Sequence, residues 1–250
     1  MVCAAIRRLA TVRRVTEIDD DARRVAKLLE AQHHAATLFD EIERRALVSP
    51  GRLESQVSRE IRDVAANALG VTRHWHKRVV RSGPNTLQPY HQNPPDREIE
   101  ADDIVFVDLG PIFEDWEADF GRSYVLGDDP VKHRLVADLP VLFDAGRDYF
   151  LHHPEVTGEE LFHHVVALAE DRGWTWGGTI AGHLVGHFPH DAAPGGDAFS
   201  RVMPGNDRAM RTVDASGRPC HWILEIHIVD VGRQIGGFFE ELLDVGTDAA

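Results

Sequence analysis

The chain has little cysteine, no long apolar run and a deficit of positive charge, and each shortage removes a class of protein. Only Cys3 and Cys220 occur among 250 residues, which leaves no disulfide framework and makes a reducing cytoplasm the expected compartment. No stretch approaches the roughly eighteen apolar residues of a membrane span. The first 14 residues, MVCAAIRRLATVRR, are basic, but their apolar core is too short for a secretory signal. Lys and Arg number 27 against 41 Asp and Glu, a formal charge of −14, so neither nucleic acid nor an acidic membrane surface is an expected partner. No Gly-x-Ser-x-Gly elbow, Cys-x-x-Cys pair or phosphate-loop pattern is present to support serine, thiol or nucleotide chemistry.

With 43% apolar residues, the chain can bury a large core as one domain, expected over residues 16–250. Residues 1–15 read as an extension and a candidate arm toward a second subunit of a homodimer. Apolar periodicity predicts helices from about Ile18 to Leu47 and from Leu53 to Leu69, the latter stopped by Gly70. Two more are expected from Val131 to Phe150 and from Gly158 to Arg172. Thr157 and Glu160 form a capping box for the last, and Gly173 ends it. A hairpin follows each helical pair, so the order helix, helix, hairpin occurs twice. Residues 191–220, rich in Gly, Pro, Asp and Arg, read as an irregular pocket wall or subunit contact. The segment TRHWHKRVVRSG reads as a strand with a solvated face.

The first hairpin is VDLGPIFEDWEAD. With its turn between Phe113 and Glu114, residues whose numbers sum to 227 are paired, and Asp108 faces Asp119. Such partners have Cβ atoms roughly 4.5–5.5 Å apart, where like charges destabilise the pair. On this hairpin alone, a solvated tip with a miscounted register stands level with a metal site. The second hairpin, HWILEIHIVDVGRQIGGFFEELLDV, turns near Gly232 and Arg233, and its register sum of 465 sets Glu225 opposite Glu240. Four carboxylates flanked by apolar neighbours are very unfavourable without counter-charge, and no lysine or arginine stands out to neutralise them. Divalent cations would. Between the hairpins, GGTIAGHLVGHFPHD brings His183, His187 and His190 into eight residues, and imidazole completes an oxygen-rich site for manganese, cobalt, iron or zinc.

Asp108 and Asp119 eleven residues apart, a Gly-His motif and two late-strand glutamates resemble the pita-bread metallohydrolases: methionine aminopeptidase, aminopeptidase P, prolidase and creatinase. VSPGRLESQV, PYHQNPPDREIEADDIVFVDLG and DFGRSYVLG are similar to further family segments. The resemblance implies the pita-bread α/β (α+β) fold, with two pseudo-symmetric halves around a central metal site. It makes Asp108, Asp119, His183, Glu225 and Glu240 ligands of two divalent ions, manganese or cobalt ahead of zinc or iron. GHLVGHFPH lies without gaps on the methionine aminopeptidase pattern, which favours His183, while aminopeptidase P spacing keeps His187 open as ligand. Glu241 is the alternative to Glu240, on the opposite strand face.

The resemblance further implies that Glu225 shuttles a proton, His190 stabilises the oxyanion, and His91, seventeen residues before Asp108, binds substrate backbone. The implied reaction is removal of an N-terminal residue from a small peptide by an aminopeptidase or dipeptidase, Xaa-Pro type or related. Leu184, Ile226-His227 and Phe238 depart from the family pattern, where glycine, proline and arginine respectively are usual. These changes lie in the pocket, so a hydrolase or lyase of a small amide metabolite, or a silent binding module, stands as the alternative.

Overall fold

Ile104–Leu109, rich in β-branched and aromatic residues, forms a strand buried along its whole length, because both faces of the sheet around it are covered. The computed structural model describes the backbone of residues 2–190 and 192–245, with side chains from residue 20 onward. Among the described residues, four α-helices, α1 (Val2–Arg44), α2 (Glu54–Leu69), α3 (Pro130–His152) and α4 (Gly158–Asp171), accompany nine strands. The strands are β1 (Val79–Ser82), β2 (Ile104–Leu109), β3 (Ile112–Phe113), β4 (Trp116–Glu117), β5 (Phe120–Val125), β6 (Thr175–Trp176), β7 (Leu184–Val185), β8 (His221–Asp230) and β9 (Ile235–Leu242). The main sheet runs β1-β2-β5-β9-β8-β6, with β7 also on β8, and all its pairings are antiparallel.

The expected helix pairs and hairpins are present in the expected order. Thr157 and Glu160 form the capping box, and Gly70, in the left-handed conformation, closes α2. α1 begins earlier than its apolar stripe suggests, so position 15 falls inside the helix. The side chains of the expected extension, and hence any contact with a second subunit, lie outside the described residues. Among the described residues no helix is long and apolar enough to cross a membrane.

Period-two alternation divides the sheet. Val105, Val107 and Leu109 pack with α1 and α2, and Leu224, Ile226 and Ile228 pack with α3 and α4. The intervening Asp108, Glu225, His227, Phe238 and Glu240 instead line a cleft. The halves meet where Gly121 of β5 pairs with Glu240 of β9, and Ser123 Oγ, 2.7 Å from Phe238 N, extends that seam.

Two expectations need correction. Glu114 and Asp115 both take positive φ, 48° and 70°, and form the two-residue turn themselves, a backbone that the short side chain of Asp115 tolerates better than that of Glu114. The register sum is therefore 229: Asp108 pairs with Gly121, and Asp119 lies diagonally, two residues nearer the turn. The two carboxylates still reach a common point. In TRHWHKRVVRSG only Val79–Ser82 is strand, and it is buried throughout, because Arg81 turns inward and donates to the carbonyls of Gln88, Tyr90 and Gln92.

Gly182 connects fold to site. Its φ is +139°, and a Cβ there would sit 2.2 Å from the Ile223 carbonyl oxygen. On either side, the carbonyls of Ala181 and His183 accept from Glu225 N at 3.1 Å and Ile223 N at 3.0 Å. Gly182→Ala should cost about 1–3 kcal/mol of strain and lower the melting temperature by about 2–4 °C per kcal/mol. Thermal melts check this; an unchanged melting temperature would count against the close packing.

Candidate metal centre

Asp108 comes from the end of β2, Asp119 from the residue preceding β5, Glu225 from β8 and Glu240 from β9, so each half of the fold brings two carboxylates to the seam. Asp119 is the common member of two donor groups, His76-Asp108-Asp119 and Asp119-His183-Glu240, whose ligand atoms lie within 4.8 Å of one another in each. Its Oδ1 is 3.0 Å from His76 Nε2 and its Oδ2 is 3.2 Å from His183 Nε2. Glu225, partly exposed at the cleft floor, is within hydrogen-bonding reach of Glu240.

Burial sets the electrostatics. It pushes the Asp108 carboxyl up to about 7, against the pull of His76, with the Asp119 charge adding to the rise. It raises Glu225 to about 7 as well, and it drives Glu240 well above the carboxylate range, with Asp119, Asp108 and Glu225 contributing. Asp119 goes the other way: burial would raise it, but His76 and His183 hold its two oxygens and keep it below the ordinary range. Burial would lower His76, but Asp119 and Asp108 outweigh this and lift it to about 9. Asp108 Oδ1 and Glu240 Oε2 are buried without a hydrogen-bond partner. Orphaned carboxylate oxygens beside imidazole nitrogens, which offer lone pairs once freed of their protons, form a donor set that fits divalent cations.

His183 lies in the cluster, whereas His187 is exposed and packs edge-on against Trp116 at 5.4 Å. Glu241 points to the other sheet face and pairs with Arg122. His190 borders the cleft, with its Nδ1 2.7 Å from Glu117 Oε2. His91 is exposed at the rim on the loop that Arg81 ties down. From the 191–220 segment, Asp197, Ser200 and Arg201 form part of the wall; Asp191 lies outside the described residues. The cleft encloses about 480 Å³.

Sequence reasoning missed His76, Trp75 and Glu117. Trp75 donates from Nε1 to the Ala118 carbonyl at 3.0 Å and stands edge-on to His76, His183 and His190, with centroids 4.6, 5.1 and 6.2 Å away. Glu117 had a signal, since it lies two residues before Asp119 on the same strand path. His76 had none, because it reaches the site through the non-local bridge of His74 with Pro111.

Comparison with known proteins agrees with this geometry. The sequence pattern described as metallopeptidase family M24 matches residues 5–213, and the chain belongs to that family. Similar solved structures include the dipeptidase PepE of Mycobacterium ulcerans, 26% identical with a TM-score of 0.68 over 88% of this chain and 56% of that one. The Xaa-Pro dipeptidase of Bacillus anthracis is 21% identical, with a TM-score of 0.70 over 92% and 59% of the two chains. Methionine aminopeptidase of Rickettsia prowazekii, 16% identical with a TM-score of 0.65, is covered over 95% of its length by 91% of this chain. The chain thus spans little more than half the length of the two dipeptidases. No functionally curated protein matches it.

Two tests follow from the site. In metal-free protein, Asp108 and Glu225 titrate near 7 when folded but near 4 when unfolded. Between those values Asp108, Glu225 and Glu240 bind more protons in the fold, and these three outnumber His74 and His227, which burial lowers to about 4 with the opposite sign, so stability falls as pH rises from about 4 to 7. His76, raised to about 9, extends the fall through that pH, while the opposite contribution of Asp119 is complete once pH exceeds about 4. Saturating metal should flatten the carboxylate part, because cations replace the protons. Melting curves with chelator and with metal check this; a metal-free midpoint that rises from pH 5 to 7 would contradict it. Separately, His183→Ala should weaken metal binding at least tenfold, whereas His187→Ala should not, as read by calorimetric titration.

Proposed function

We propose that this chain is a two-ion metallo-exopeptidase that removes an N-terminal residue from a small peptide, as an aminopeptidase or dipeptidase of Xaa-Pro or related type, with residues 16–250 as its catalytic domain. The observation that carries this reading is Asp119, whose two oxygens turn toward separate donor groups as a bridging ligand's would. Asp108, Asp119, His183, Glu225 and Glu240 would hold the ions, manganese or cobalt ahead of zinc or iron. Two cations held there would lower the pKa of a water between them and polarise the scissile carbonyl.

The chain's own residues supply the rest. Glu225, the carboxylate of the four that is open to the cleft, would accept a proton from the attacking water and return it to the leaving amine. Glu117, almost fully buried, accepts from His190 Nδ1 and fixes the ring, which in its doubly protonated form would donate from Nε2 to the developing oxyanion. His91, at the rim, would hydrogen-bond peptide backbone. The proposal is completed by a cytoplasmic homodimer acting without nucleic acid or membrane, and the balance of 41 acidic against 27 basic residues supports the first exclusion.

One observation favours a second reading. Phe238 packs against Phe106, with centroids 5.5 Å apart, where related peptidases usually carry an arginine. An apolar wall at that point suits a small non-peptide amide. Metal-loaded protein assayed on peptides with and without proline at the second position, on N-blocked peptides and on amide metabolites separates the readings. Cleavage confined to amide metabolites would overturn the peptidase proposal. On whichever substrate is cleaved, His190→Gln should lower turnover by about 10²–10³ with metal content unchanged. Turnover within about threefold of wild type would make His190 a structural residue.

A further inference from the structure

His76 stands outside the five-residue ligand set, yet it is built into the centre. Its side chain is 8% exposed, and Nδ1 is 2.7 Å from the Lys77 carbonyl oxygen. A carbonyl can only accept, so Nδ1 carries the hydrogen and the lone pair of a neutral ring is on Nε2. That nitrogen is 3.0 Å from Asp119 Oδ1 and 3.5 Å from Asp108 Oδ1, the latter buried with no hydrogen-bond partner. In that neutral form three electron-rich atoms converge on one point.

The spacing matches a coordination sphere. Around an ion with bonds of about 2.1 Å, neighbouring donors stand about 3.0 Å apart at right angles and about 3.4 Å apart at the tetrahedral angle. The other side of Asp119 repeats the arrangement: His183 Nδ1 donates to the Leu184 carbonyl at 2.8 Å, and its Nε2 is 3.2 Å from Asp119 Oδ2. The backbone also makes room for the ring, since a Cβ on Gly110 would lie 2.1 Å from His76 Cδ2 and 2.3 Å from Nε2.

We propose that His76 is a sixth metal ligand, which gives the ion beside Asp108 an imidazole of its own. This rests on the two-ion reading above. Charge balance agrees: four carboxylates offset two dications, and a neutral imidazole preserves that neutrality where an imidazolium counter-ion would leave an excess positive charge. The second nitrogen ligand shifts this position from a nearly all-oxygen site, suited to manganese, toward cobalt or zinc.

The test uses the full chain, with metal-free protein titrated by zinc and by manganese. His76→Gln keeps an amide that can hydrogen-bond Asp108 and Asp119 but lacks the imidazole, so it should fold. It should lose at least about tenfold in affinity at one of two ions, more for zinc than for manganese. Wild-type affinity for both ions in His76→Gln would overturn the proposal. His183→Gln serves as the control for the underlying reading. If it too leaves both ions unaffected, the two-ion centre itself fails. Should His76→Gln not fold, ¹⁵N-histidine NMR of zinc-loaded wild type decides directly. The Nε2 resonances of both His76 and His183 should move on zinc binding, and movement of His183 alone would overturn the proposal.

Discussion

Four carboxylates share one buried seam, and the rest of the site is organised around their mutual repulsion. Two like charges 4 Å apart cost about 4 kcal/mol even at the moderate effective dielectric of a protein. Asp108, Asp119 and Glu240 are almost fully buried, and Glu225 is open only to the cleft. Without cations the cluster must hold protons, as the raised positions of Asp108, Glu225 and Glu240 express. Asp119 escapes that rise because it alone is flanked by two imidazoles.

Such a centre persists because its scaffold is stabilised elsewhere. One apolar core joins α1 and α2 to the first hairpin, a second joins α3 and α4 to the last, and the seam runs between them along β5 and β9. Gly121 at the seam admits the Phe238 ring, which a Cβ would meet at 2.5 Å. The cores thus oppose the local frustration without touching it, and the site can remain charged, polar and open on its concave side.

The histidines are oriented by partners of a different kind. His76 and His183 are tied by backbone carbonyls, His190 by the Glu117 carboxylate, and Trp75 stands among all three rings. Fixing one ring nitrogen orients the other: Nε2 of His76 and of His183 meets an Asp119 oxygen, while the His190 ring borders the open cleft. Arg81 does comparable work on the rim by gathering the carbonyls of the loop that carries His91.

Local patterns were legible in the sequence wherever the determinant lay close along the chain. Thr157 and Glu160 announced the cap of α4, and a turn near Gly232 set Glu225 against Glu240, because a hairpin register depends on a few residues at its tip. The first hairpin escaped by two positions, since its turn is made by Glu114 and Asp115 in left-handed conformations without a glycine to mark it. Order and spacing of the acidic residues were enough to indicate the family. Only the tertiary structure decided that Asp108 and Asp119 meet diagonally, that His187 faces solvent while His183 joins the cluster, and that His76 points inward. These outcomes depend on pairings between distant segments, β5 with β9 and His74 with Pro111, whose partners no local periodicity specifies.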